Sequence, residues 1–321
     1  MNRFQRLALI AACSAVMLAL VIFPERFLAS VSSGLKIFAV AVLPALFPFF
    51  FFSKLLTGLG AADGLSRAFQ KPMSRLFRAP PETAYIFFMS LLSGYPVGAK
   101  LISDFYSAGV FSEGDAKRAA PLSSTSGPLF IVGAVGASML VSEAAGYVML
   151  AAHYLGALIN ALFYRGKKVK SREQRVIFAP LIDGDRLLSD SINGAVLSVA
   201  AVGGFIAVFS VVVDLFSLIG VFSAVERIFD APAASFVSAV LVSLIEMTRG
   251  CVAAAGLNAS MAFKAAVAAF AAAFGGLSVL FQSHMFLSKC KIKFGYLALF
   301  KITQAAVTAL LTLGLCLLFK I

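Results

Sequence analysis

Two pairs of stretches in this chain place hydroxyls and helix breakers where an apolar segment would otherwise carry Leu and Val. The first pair is Ser93-Gly94-Tyr95-Pro96-Val97-Gly98-Ala99-Lys100 and Ser123-Ser124-Thr125-Ser126-Gly127-Pro128; the second is Glu246-Met247-Thr248-Arg249-Gly250 and Phe274-Gly275-Gly276-Leu277-Ser278. Backbone groups freed by Gly and Pro at membrane depth must be satisfied by protein, water or a solute, because lipid offers no hydrogen bonds. An interrupted helix exposes N–H groups at the start of its second half, and its dipole adds partial positive charge there, so a carboxylate or phosphate suits the position. Ser123, Ser124, Thr125 and Ser126 add hydroxyls, Gly127 lets the backbone approach a ligand, and Pro128 suits the first turn of the resumed helix. Such hydroxyls often bond back to their own helix, but four together beside Gly-Pro favour a site.

Arg249 is the most informative single residue, since a guanidinium far from either end of an apolar segment needs a partner. Glu246, one turn earlier, could neutralise it as a structural pair, or Arg249 could hold a substrate carboxylate while Glu246 tunes it or carries a coupling proton. The candidate binding set is therefore Ser93, Gly94, Ser123, Ser124, Thr125, Ser126, Gly127, Glu246, Thr248, Arg249, Gly250, Gly275, Gly276 and Ser278. Lys100 is expected to snorkel to the interface. His153 and His284 have no carboxylate or Cys at ligand spacing and are assigned no role.

The elements carrying these residues must be membrane helices. The 321 residues are 60% hydrophobic and 13% charged, with a mean hydropathy of +0.95, which excludes an ordinary soluble domain. The formal charge of +12 sits in short loops between apolar runs, where positive-inside topology accounts for it without nucleic acid. Cys13, Cys251, Cys290 and Cys316 are scattered and behave as small hydrophobes, with no metal site implied. No HExxH, GxSxG or P-loop pattern occurs, so no enzyme and no cofactor is expected beyond a coupling Na+ or H+.

In chain order, residues 1–34 hold a retained first span, 7–23, and a connection; 35–164 form a first repeat of span, re-entrant hairpin, broken helix and span. The span 35–58 is kinked by Pro44 and Pro48 and meets a cytoplasmic loop bearing Arg67, Lys71, Arg75 and Arg78. The hairpin arms around Ser93 to Gly98 are each too short to cross. Ser112 and Asp115, at capping-box spacing, start a helix that continues through Leu140 across the Ser126-Gly127-Pro128 interruption. Residues 165–187 are a basic cytoplasmic loop, with Arg165, Lys167, Lys168, Lys170, Arg172 and Arg175, and an interfacial stretch over 177–188. Residues 188–321 repeat the pattern inverted: a span at 192–215, a charge-balanced linker at 223–230, a hairpin tipped by Thr248-Arg249-Gly250, a broken helix at 261–281 and a final span at 296–319. Lys168 and Lys291 are expected in the cytoplasm, Glu143 and Arg227 outside. Gly109 to Lys117 and Gly256 to Lys264 share one spacing. The fold expected is an all-α polytopic membrane protein, an inverted-repeat transporter with two re-entrant helical hairpins and two broken transmembrane helices.

The stretches 92–100, 124–130 and 244–250 resemble those of the YlbJ-like sporulation integral membrane proteins, a group carrying the nucleoside-recognition or Gate domain, and the similarity covers nearly the whole chain. The family is similar to concentrative nucleoside transporters, whose two hairpins and two broken helices meet at the membrane centre. The resemblance implies a carrier that moves dipicolinic acid out of the mother cell across the outer forespore membrane. A small anionic solute and the lipid bilayer are the implied partners, nucleic acid is not, and homo-oligomerisation is left open. The polar side-chain sets by which nucleoside carriers hold base and ribose find no match here. A nucleoside or nucleobase carrier and a non-transporting Gate-type scaffold are the alternatives.

Overall fold

Long runs of Ala, Leu and Phe without period-two alternation leave helix as the structure that satisfies the backbone internally, and every regular element among the described residues is helical. The computed structural model describes residues 3–166 and 186–321. Lys167, Lys168, Lys170, Arg172 and Arg175 lie outside those residues, as does the expected interfacial stretch 177–188 up to residue 185.

Helix α1 (Arg3–Ile22) and α2 (Pro24–Ile37) meet at Phe23 with a bend of 108°. Residues 24–34, expected as a connection, are thus helical, because Pro24 is preset for a first helical turn. A π-helical turn, Phe38–Val42, leads into α3 (Leu43–Gly58); Pro44 and Pro48 donate no N–H, and the ladder widens just before them. The basic stretch expected as a loop is instead helical, as α4 (Ala61–Ala68), α5 (Gln70–Pro72) and a π-helical turn Met73–Phe77.

Next come the short pair α6 (Thr83–Ser93) and α7 (Val97–Ser107), then α8 (Glu113–Leu122), a π-helical segment Leu129–Met139 and α9 (Glu143–Phe163). The Ser112 side chain accepts from Asp115 N–H and the Asp115 carboxylate accepts from Ser112 N–H, the expected capping box. The helix it starts does not continue through Leu140 but stops for the whole of Ser123 to Gly127.

The second half holds α10 (Leu187–Leu218), α11 (Val221–Ile228), the short pair α12 (Ala231–Ile245) and α13 (Met247–Ala255), then α14 (Met261–Phe274), α15 (Gly276–Leu287) and α16 (Phe294–Phe319). The expected linker 223–230 is largely α11.

The order of elements recurs. Both α3 and α10 end at a left-handed glycine, Gly60 (φ 80°) and Gly220 (φ 79°), each followed by an eight-residue amphipathic helix, a short helix pair, a Ser-capped helix with an interruption, and a long helix. The capping serines are Ser112 and Ser260, three residues after Gly109 and four after Gly256, so the shared Gly-to-Lys spacing does not align equivalent positions.

Among the described residues four helices are long and apolar enough to cross a bilayer, Glu143–Phe163, Leu187–Leu218, Met261–Cys290 and Phe294–Phe319, or five if the bent pair across Phe23 counts as one. Helices of the short first pair, at 11 residues each, reach only about 16 Å, half a hydrocarbon core. At the centre, α14 is packed between α9, α13 and α16. Its buried Ala265, Ala266, Ala268, Ala269, Ala271, Ala272 and Ala273 combine high helix propensity with a small cross-section, which lets neighbours close in from every side. On α16, Leu310 and Leu317 are exposed while Lys301, Gln304, Thr308 and Thr312 are buried. Polar-in and apolar-out is the reverse of a soluble protein and fits lipid around the chain. The molecule is a multi-pass integral membrane protein.

Candidate functional site

An interrupted helix leaves carbonyls at the end of its first half and N–H groups at the start of its second, and the structure shows where these groups find partners. At the first interruption, Ser90 Oγ donates to Ser123 O at 2.7 Å and Gln304 Nε2 donates to Ser124 O at 2.9 Å. His153 Nε2 accepts the Ser126 N–H at 2.8 Å. The last turn of α6 is treated alike: Leu91 O accepts from the Tyr154 hydroxyl. His153, assigned no role from sequence, therefore holds the start of the resumed helix, and α6, α9 and α16 supply the side chains that satisfy the gap.

The tip of the first helix pair lies directly on this interruption. Gly94 has φ +80°, and a Cβ there would stand 2.6 Å from Gly127 N, closer than any side chain tolerates. A Cβ on Gly98 would overlap both the Ser123 carbonyl and Ser90 Oγ. Ser93, Gly94, Ser123, Ser124, Thr125, Ser126 and Gly127 are thus brought together as one backbone junction.

The second interruption falls at Gly275 and Gly276, with φ of +84° and +68°. A Cβ on Gly276 would stand 2.9 Å from Ile245 O and 3.0 Å from Glu246 Cα, so the second tip docks on the second break as the first does on the first. That tip is Glu246, the one extended residue between α12 and α13 (φ −141°, ψ 125°), rather than Gly250. Gly250 lies one turn inside α13, packed on Ser243. The correction has a local cause: the Glu246 carboxylate accepts from Thr248 N (3.1 Å) and Arg249 N (2.8 Å), capping α13 and opening it immediately after the tip. Ser278 is buried and its hydroxyl accepts from Gln282 Nε2 at 3.2 Å.

Tyr95 joins the two junctions. From the first tip its hydroxyl reaches the last turn of α14, donating to Ala273 O at 3.1 Å or Ala272 O at 3.3 Å, and it accepts from Lys301 Nζ at 2.7 Å. The Lys301 amine also lies 4.1 Å from the centre of the Tyr95 ring. Around this centre Ser93 Oγ, Ser123 Oγ, Thr125 Oγ1, His153 Nδ1, Gln304 Oε1 and Thr308 Oγ1 are buried with no hydrogen-bond partner among the described residues. Each such group costs about 1 to 3 kcal/mol, so a cluster of them marks a place where polar groups await something else. Tyr95, Pro96, Ser123, Ser124 and Ser283 border a cavity of about 10 Å³, the space of one water. Lys301 and Gln304 are three residues apart on one face of α16 and were missed from sequence, although a lysine within an apolar span is itself a signal.

Arg249 is held elsewhere. Its Nη1 donates to Asp214 Oδ1 at 2.7 Å, while Ser30 Oγ also donates to the Asp214 carboxylate and Arg26 Nη2 reaches the Asp214 carbonyl at 3.5 Å. The pairing of Arg249 with Glu246 is therefore overturned: Glu246 is occupied as a helix cap, and the counter-charge comes from α10. No hydrogen bond among the described residues links Arg249 to the first interruption. Lys100 likewise does not snorkel free but pairs with Asp104 at 2.5 Å. Arg249→Met should lower stability by about 1 kcal/mol, as befits a partly exposed pair; Asp214→Asn in the same chain should restore it and Glu246→Gln should not. Thermal unfolding of the single and double variants checks this, and rescue by Glu246→Gln would contradict the geometry.

The architecture defines a multi-pass α-helical membrane protein with a buried polar centre built from two interrupted helices and two short-pair tips. The chain is similar to the Sporulation integral membrane protein YlbJ of Bacillus subtilis (strain 168), with 29% identity over 298 residues that cover 84% of this chain and 73% of that protein. This similarity supports a YlbJ-like integral membrane protein. No protein-family model matches the chain, and no solved structure matches it.

Proposed function

We propose that this chain acts in sporulation as a membrane transporter of a small anionic solute, with dipicolinic acid as the expected substrate, and that it works without enzymatic chemistry. The observation that carries this reading is the meeting of both helix interruptions and the first tip at one buried centre, through Tyr95 on Ala273 and Gly94 on Gly127. Breaks of this kind at membrane depth are the sites where secondary carriers hold their cargo. The recurrence of long helix, glycine turn, short pair, capped broken helix and long helix supports an inverted repeat, in which α6 with α7 and α12 with α13 are re-entrant hairpins entering from opposite faces. The likeness to a sporulation membrane protein supports the sporulation role, and the unpartnered Ser93, Ser123 and Thr125 hydroxyls with the buried Lys301 amine favour an anion over a nucleoside.

The centre has room for only about one water, so a dicarboxylate enters when a hairpin parts from its interruption. That agrees with a carrier closed between its two open forms. The test is thermal stabilisation of purified protein by dipicolinate, nucleosides and simple dicarboxylates. Ligand at a hundred times its Kd should stabilise by about 2.7 kcal/mol. Dipicolinate is expected to stabilise and nucleosides not to. Stabilisation by nucleosides alone would assign a nucleoside carrier, and none by any solute would leave a scaffold.

A further inference from the structure

We propose that the Lys301 amine is the anchor for one carboxylate of the cargo, an assignment that rests on the transporter reading above and names the group in it that recognises charge. Lys301 lies on α16 with 1% of its surface exposed. None of the ion pairs among the described residues includes it, whereas the cations Lys100 and Arg249 each have a carboxylate. A lysine ammonium carries three donors, and among the described residues only the Tyr95 hydroxyl accepts from it. That hydroxyl already donates to an α14 carbonyl, so it orients the amine without neutralising it.

A fully buried amine with no counter-charge is costly to keep charged, and an entering carboxylate supplies the missing anion. The surroundings suit a carboxylate. Tyr95, which holds the amine, also borders the small cavity with Ser123 and Ser124, and Ser123 Oγ is a buried hydroxyl with no partner. A hydroxyl can donate to the second oxygen of a carboxylate whose first oxygen accepts from Lys301. Purely apolar or uncharged cargo would leave the amine as it is.

The experiment uses the full chain in detergent or nanodiscs, titrated with dipicolinate and with its uncharged diamide of nearly the same shape. Wild-type protein should prefer the dicarboxylate by about 100-fold, and Lys301→Met should lose that preference by weakening dipicolinate about 100-fold while changing the diamide less than about threefold. Without ligand, Lys301→Met should be at least as stable as wild type, since it removes a fully buried amine that has no counter-charge; a purely structural lysine predicts a loss. Retention of dipicolinate affinity in Lys301→Met overturns the assignment while leaving the transporter reading in place. Should that variant fail to fold, the wild-type comparison decides alone: equal affinity for dicarboxylate and diamide overturns the assignment, and a strong preference for the dicarboxylate supports it. Absence of binding of either compound to wild-type protein removes the transporter reading and this assignment with it.

Discussion

Gly98→Ala is expected to give a chain that inserts but is destabilised by about 4 kcal/mol and has lost solute binding. The added methyl would overlap the Ser123 carbonyl, a backbone atom, as well as Ser90 Oγ. Ser90 can rotate away, but only by giving up its 2.7 Å bond to that same carbonyl. Overpacking a tight contact costs about 1 to 3 kcal/mol, and a buried carbonyl stripped of its partner adds about 1 to 3 more. Since α7 must then lift from the first interruption, the whole junction from Gly94 to Gly127 opens with it. Gly204→Ala is the matched control: it lies inside α10 with nothing within 4 Å of the added carbon, and should gain up to about 1 kcal/mol from helix propensity. Thermal unfolding of both variants, with dipicolinate titrations of each, checks the result. Equal stability of the two would mean that the first pair is not docked on the interruption.

Tyr95→Phe should cost about 3 kcal/mol, more than the loss of an ordinary hydroxyl. The tyrosine oxygen accepts from a fully buried amine and donates to the end of α14, so its removal strands a buried amine and a buried carbonyl together, and two such groups lie at the upper end of hydrogen-bond penalties. The ring and its contact with the amine remain in the variant. Adding Lys301→Met should recover most of the stability, because the stranded donor is then gone and only the α14 carbonyl is left without its partner. The interaction energy from the double-mutant cycle measures this directly. A double variant no more stable than Tyr95→Phe would show that the two side chains do not depend on one another.

The parts of this molecule legible in the sequence are those whose causes are local. Hydropathy and length identify membrane helices, Ser112 with Asp115 signals a capped start, and Gly-Pro or Gly-Gly within apolar runs signals an interruption; each depends on residues a few positions apart. Glu246 stands at the edge of this category. Its capping of α13 is a local device, but beside Arg249 the attraction of opposite charges offered an ion pair as one of two readings, the other being Arg249 as a substrate ligand. Two backbone N–H groups hold the Glu246 carboxylate at the start of its own helix, while the Arg249 guanidinium meets Asp214 on another helix, so the cap prevails over the pair.

Which group satisfies which need depends on contacts between distant parts of the chain. The order of residues shows that an interruption near Ser123 to Gly127 leaves backbone groups to be satisfied, and that an arginine at 249 requires a counter-charge. It carried no sign that His153 would meet Ser126, that Asp214 would meet Arg249, or that Tyr95 and Lys301, 206 residues apart, would share a hydrogen bond. Hydrogen bonds and charge pairs act over a few ångströms and are indifferent to chain separation. Partners are therefore chosen by the packing of the small-residue helix α14 against α9 and α16 and of the tips against the interruptions, and that packing exists only once the helices have assembled.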